Sequence, residues 1–173
     1  FADEIHSDLV FSGSKHIPFA SLSAKAGALS LTAIGVGKTF NLAGIASSNV
    51  VIQDGALRAR FAAVYESIYF AQGNVFAHVA IESAYTQGEV WLEELLAHLE
   101  GNFRLLEETL GKYRDKITFK KPEGTYLVWL DCSGMKLKDS ELREFFVKEA
   151  RLGLSPGLSF GRECIYHMRI NCA

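Results

Sequence analysis

Across residues 89–113 the apolar positions Val90, Leu92, Leu95, Leu96, Leu99, Phe103, Leu106 and Leu110 recur every three or four residues, with acids and Asn between them. That period puts them on one stripe of an α-helix, and Gly101 in its middle predicts a bend. Leu57, Phe61, Val64 and Ile68 repeat the spacing over 54–71, behind Asp54, which can cap the first turn. A further helix is predicted over 75–85. The runs 29–36 and 47–52 are apolar and of strand length, the second rich in β-branched residues. Between them, 38–44 has room for no more than a turn of helix. Beyond the long helix the pattern changes to strands at 117–119, 126–130 and 165–171, a turn at 122–124 and a helix at 140–150. An α/β part is therefore expected first and an α+β layer second. The boundary falls inside the long helix near Leu95, giving segments 1–94 and 95–173.

Composition narrows the picture by exclusion. Of 173 residues 49% are apolar, enough to bury a substantial core. The net charge is -2 with signs interspersed, so no basic stripe is available for a phosphate backbone, and nucleic acid is excluded as a partner. Cys132, Cys164 and Cys172 are odd in number and lack metal-ligand spacing, which reads as reduced thiols in a cytoplasmic protein. No apolar run has bilayer length and the acidic start does not resemble a signal peptide, so no membrane partner is expected. The chain opens without Met and ends on what reads as a strand in progress, which suggests a fragment.

Two clusters carry candidate chemistry. Gly35, Val36, Gly37, Lys38 and Thr39 follow an apolar strand, as a phosphate-binding P-loop would, but the glycine required five residues before Gly37 is Thr32. Lys38 is flanked by the apolar and small residues Phe40, Leu42 and Ala43. A partly desolvated amine is expected there, which lowers a lysine pKa toward nucleophilic use; the plain alternative is a surface lysine after a flexible turn. Asp3, Glu4 and His6, with Asp8 and His16, supply metal-compatible donors, but their spacing matches no metal signature and a solvated acidic loop is the commoner reading, so no metal is expected.

Taken together, Asp3 and His6 followed by Lys38, Thr39, Phe40, Asn41, Leu42, Ala43 and Gly44 resemble the fold-type I pyridoxal-phosphate (PLP) enzymes of the class I/II aminotransferase family. The likeness continues through 84–91, 122–131, Pro156, Gly157, Phe160 and Gly161, and Met168, Arg169, Ile170 and Asn171, and so covers essentially the whole chain. It implies the aspartate-aminotransferase fold: 1–94 as the remainder of the PLP-binding large domain and 95–173 as the α+β small domain. It further implies PLP as cofactor, Lys38 as Schiff-base lysine and catalytic base, Asp3 on the pyridine nitrogen, His6 on the phenolic oxygen, Arg169 on the substrate α-carboxylate, and a homodimer. His6 and the segment His16, Ile17, Pro18, Phe19 resemble the cystathionine β-lyase or C-S lyase branch. Elimination of a thiol from cystathionine or a cysteine-like amino acid is the implied reaction, with transamination sharing the early steps. A catalytically inactive fragment acting as a binding module is the alternative of another class. Where the family has phosphate-contacting Ser and Arg, this chain has Gly35, Gly37 and Ala46.

Arg169 also has a reading from the strand alone. With Met168 and Ile170 on either side, it points to the opposite face. A guanidinium there suits bidentate binding of a carboxylate.

Overall fold

The computed structural model describes residues 1–68 and 74–173. Two compact units follow one another along the chain, Phe1–Leu96 and Ala97–Ala173.

In the first unit, strand β1 (Ala2–Asp3) is short. It is followed by a loop anchored by the buried Leu9 and Phe11. Helix α1 (Ala24–Leu29) begins at Ser23, whose Oγ accepts the Ala26 N–H at 3.0 Å. This serine cap accounts for a difference from the sequence expectation. Leu29 closes a helix and is 67% exposed, and the strand predicted over 29–36 shrinks to β2 (Thr32–Ile34). Helix α2 (Val36–Thr39) is the single expected turn. Strand β3 (Asn49–Val51) completes a three-stranded sheet of order β1-β2-β3, in which β1 and β2 are parallel and β3 is antiparallel to β2.

Helix α3 (Gly55–Ser67) starts where Asp54 Oδ1 accepts the Leu57 N–H at 2.7 Å, as its sequence predicts; residues 69–71 of that expected helix lie outside the described residues. Helix α4 (Val75–Gln87) is capped by Asn74, whose Oδ1 takes the Phe76 N–H at 2.9 Å. Helix α5 (Glu89–Leu110) runs continuously through Gly101 and crosses from the first unit into the second. The helical repeats predicted the helices well but their buried faces less well. Val64, Ile68 and Val90 are 65%, 59% and 66% exposed, because no described residue covers them.

The second unit is an antiparallel sheet with helices. Strands β4 (Thr118–Phe119), β5 (Leu127–Asp131), β6 (Ser155–Pro156) and β7 (His167–Asn171) are ordered β4-β5-β7-β6. Helix α6 (Asp139–Lys148) lies between β5 and β6 in sequence, and Glu141 accepts the Lys138 N–H at its start. Alternation along the strands buries Val128, Leu130 and Met168. The helices contribute Leu99 and Phe103 from α5 and Leu142 and Phe146 from α6, each pair four residues apart and therefore on one helix face. Burying side chains of this size stabilises the unit by roughly 1.5–3 kcal/mol each.

Candidate functional site

Because β1 and β2 are parallel neighbours, with Asp3 opposite Ala33, their carboxyl ends emerge on the same edge of the sheet. Asp3 closes β1 and His6 lies in the turn after it, while β2 leads within four residues into the turn that carries Lys38. The carboxyl ends of adjacent parallel strands are where α/β sheets hold ligands. The fold thus brings together three of the four residues singled out in the sequence. Arg169 belongs to the second unit.

The exit of β1 is tightly tied. Glu4 N–H donates to Ala33 O at 2.9 Å, Ile5 N–H to Asp3 Oδ1 at 3.2 Å, Ser7 N–H to Glu4 O at 3.0 Å and Leu9 N–H to His6 O at 3.0 Å. Glu4 turns its carboxylate the other way, toward the following loop. His16 Nε2 lies 2.9 Å from Glu4 Oε2, and Phe19 N–H donates to Glu4 Oε1 at 2.8 Å. Burial alone would raise the Glu4 pKa; the His16 and Phe19 hydrogen bonds and the His16 charge together outweigh it and hold the carboxyl below its ordinary value. Glu4 and His16 therefore satisfy each other, and Asp8 hydrogen-bonds Thr39 instead. Among the described residues no three His, Cys, Asp or Glu side chains converge as metal ligands.

Lys38 is exposed in the chain, so the expected partial desolvation of its amine is not found. The apolar neighbour that suggested it, Phe40, packs elsewhere: its ring lies edge-on to Tyr85 at 6.1 Å and tilted against Trp91 at 5.7 Å. Gly35 is a packing glycine, since a Cβ there would come within 3.2 Å of Ile5 Cδ1 and 3.3 Å of the Ser48 Cα. This explains the glycine at that position by contact with protein atoms.

In the second unit, Arg169 sits on the face of β7 opposite the buried Met168, as its alternation predicts. It is flanked across the sheet by Trp129 and Ser155. Its guanidinium carbon lies 4.6 Å from the centroid of Phe160. Trp129 meets Phe160 edge-on at 5.4 Å and stacks with His167 at 5.6 Å. Among the described residues the Arg169 guanidinium has neither an ion-pair nor a hydrogen-bond partner, so its planar set of donors remains available to an anion. Cys132 is no candidate nucleophile. Burial first, and the adjacent Asp131 charge second, push its thiol up to about 12.

The donor set fits PLP in kind: an exposed primary amine for its aldehyde, a carboxylate for its ring nitrogen and an imidazole near the same sheet end. Three contributors were not legible in the sequence. The bond from Thr39 to Asp8 spans 31 residues, the Glu4–His16 contact spans 12, and the place of Phe160 beside Arg169 depends on the strand pairing.

Comparison with known proteins places these residues in a family context. The profile described as aminotransferase class I and II matches residues 1–173. Cystathionine beta-lyase PatB of Bacillus subtilis (strain 168) is 41% identical over 170 residues, which are 98% of this chain and 44% of that protein. The crystal structure of cystalysin from Treponema denticola, which contains a pyridoxal 5'-phosphate cofactor, matches with a TM-score of 0.91 and 30% identity over 99% of this chain and 43% of that one. A PLP-bound C-S lyase from Staphylococcus hominis matches with a TM-score of 0.80 and 34% identity, covering 98% and 44% respectively. The chain thus spans less than half the length of the proteins it resembles.

Proposed function

The chain belongs to the class I and II aminotransferase family, and from that membership we propose that it carries the lysine-bearing part of a PLP-dependent carbon-sulfur β-lyase. Its fold is that of the PLP-dependent aminotransferases. The proposed substrates are cystathionine or cysteine-like amino acids, and the products a thiol, pyruvate and ammonia. The observation that carries this reading is the 41% identity to a protein named cystathionine beta-lyase, over nearly the whole chain. Segment 1–94 is read as the remainder of the cofactor-binding large domain and 95–173 as the small domain, within a homodimer.

When bound, PLP supplies an acceptor for the electron pair left at the substrate α-carbon. The residues of the chain do the rest. Lys38 would hold the cofactor through its amine, and its Nζ would serve as the base toward the substrate α-proton. Asp3 would keep the ring nitrogen protonated; its Oδ1 accepts the Ile5 N–H at 3.2 Å, and Oδ2 would be the acceptor offered to the cofactor. His6 would face the cofactor's phenolic oxygen. Arg169 would hold the substrate α-carboxylate in its fork.

Incubating the protein with PLP and cystathionine tests the reading. A lyase releases thiol and pyruvate in equal amounts with no 2-oxo acid added. Turnover that depends on an added 2-oxo acid, with no thiol released, would assign the chain to transamination, the second reading that the family description favours.

A further inference from the structure

We propose that Asp8 is a positioning residue for Lys38, acting through the hydroxyl of Thr39; this rests on the assignment of Lys38 to the cofactor. Lys38 lies on a helix of one turn, Val36–Thr39, closed by the Phe40 N–H to Val36 O bond of 3.0 Å. A single turn is far below the length at which a helix holds itself, so its orientation comes from what anchors it. The anchors are unequal in kind. Val36 and Thr39 are 1% and 0% exposed and face inward, while Lys38 between them faces out. The buried Thr39 hydroxyl requires a partner, and Thr39 Oγ1 donates to Asp8 Oδ2 at 2.9 Å.

Asp8 is itself held in the turn that leaves β1. Ser7 N–H to Glu4 O and Leu9 N–H to His6 O close that turn, and the fully buried Leu9 pins it. The Asp8–Thr39 bond therefore ties the segment carrying Asp3 and His6 to the turn carrying Lys38. A charge-assisted bond at that junction fixes the direction of the lysine relative to the groups that would hold the cofactor ring. The neighbouring Tyr85 senses the same carboxylate: burial first, and the Asp8 charge second, raise its phenol pKa.

The test starts from cofactor-free protein and needs no turnover. PLP is added at saturating concentration, and the first-order rate of covalent attachment at Lys38 is followed by borohydride quenching and peptide mass spectrometry. Thr39→Val keeps the shape but loses the donor, and attachment should slow about 10- to 100-fold, the equivalent of one charge-assisted hydrogen bond. Thr39→Ser restores the hydroxyl and should restore the rate to within about threefold, since only a methyl group is lost. If Thr39→Val attached PLP at the wild-type rate, with only its melting temperature lowered, the bond would be merely structural and the proposal overturned. Should Thr39→Val not fold, Asp8→Asn keeps an acceptor of the same shape and should slow attachment to a smaller degree; a wild-type rate in that variant overturns the proposal equally. Cofactor found on a different lysine in the wild-type protein would instead remove the assignment of Lys38 itself.

Discussion

The Arg169 guanidinium lies over the face of the Phe160 ring, 4.6 Å from its centroid. The ring faces the cation without offering a counter-charge, so it can orient the fork and leave its hydrogen bonds unspent. Trp129 braces Phe160 edge-on, and it is also the residue paired with Arg169 across the sheet.

Phe160→Leu should accordingly raise KM for amino-acid substrates about two- to fivefold, the equivalent of a cation–π contact of roughly 0.5–1 kcal/mol. Phe160→Tyr, which keeps the ring, should stay close to wild type. Steady-state kinetics decide between this and a purely structural ring, which would lower the melting temperature in Phe160→Leu and leave KM alone.

Arg169→Lys keeps the charge and loses the bidentate geometry. A fall in kcat/KM of about 10- to 100-fold is expected for an amino acid, with a much smaller effect on its decarboxylated amine analogue. An equal handicap for both compounds would return Arg169 to a structural role.

How far these residues could be read in advance depended on the distance over which each is determined. Caps and turns are local: Asp54 announced α3, and the single turn at Lys38 followed from the short interval between two strands. The alternation around Arg169 gave its face correctly, because one strand sets it. Burial was less legible. Val90, Val64 and Ile68 have helical spacing, yet their exposure depends on what else packs there, which periodicity does not specify. The exposure of Lys38 is hidden from the sequence for the same reason. Phe40 follows it closely in sequence but packs against Tyr85 and Trp91 in space. The Asp8–Thr39 and Glu4–His16 pairings are tertiary and left no periodic trace.

Glu4 gives a pH signature with a definite sign. Its folded pKa is depressed, so its contribution to stability is present above the ordinary glutamate range and lost as pH falls through the folded value. Glu4→Gln should be less stable than wild type near neutrality, by on the order of 1.5 kcal/mol. That difference should close in acid, where wild-type Glu4 is also neutral. Urea titrations of both proteins at several pH values measure it; a difference independent of pH would mean that the Glu4 charge does not hold the loop containing His16 and Phe19.

Gly157 is required for a different reason. A Cβ there would collide with the backbone carbonyls of Cys164 and His167, neither of which can rotate away. Gly157→Ala should destabilise the protein by about 1–3 kcal/mol, seen as a lower denaturation midpoint with an unchanged slope. An unchanged midpoint would show that the segment between β6 and β7 repacks freely.

The central claim is that Lys38 is the residue that takes PLP. The measurement is peptide mapping of the PLP-loaded protein after borohydride reduction, which makes the carbon-nitrogen link permanent. One pyridoxyl group per chain, on the peptide containing Lys38 and absent in Lys38→Ala, is the predicted result. A pyridoxyl group on Lys15 or Lys25, or undiminished labelling in Lys38→Ala, would contradict it.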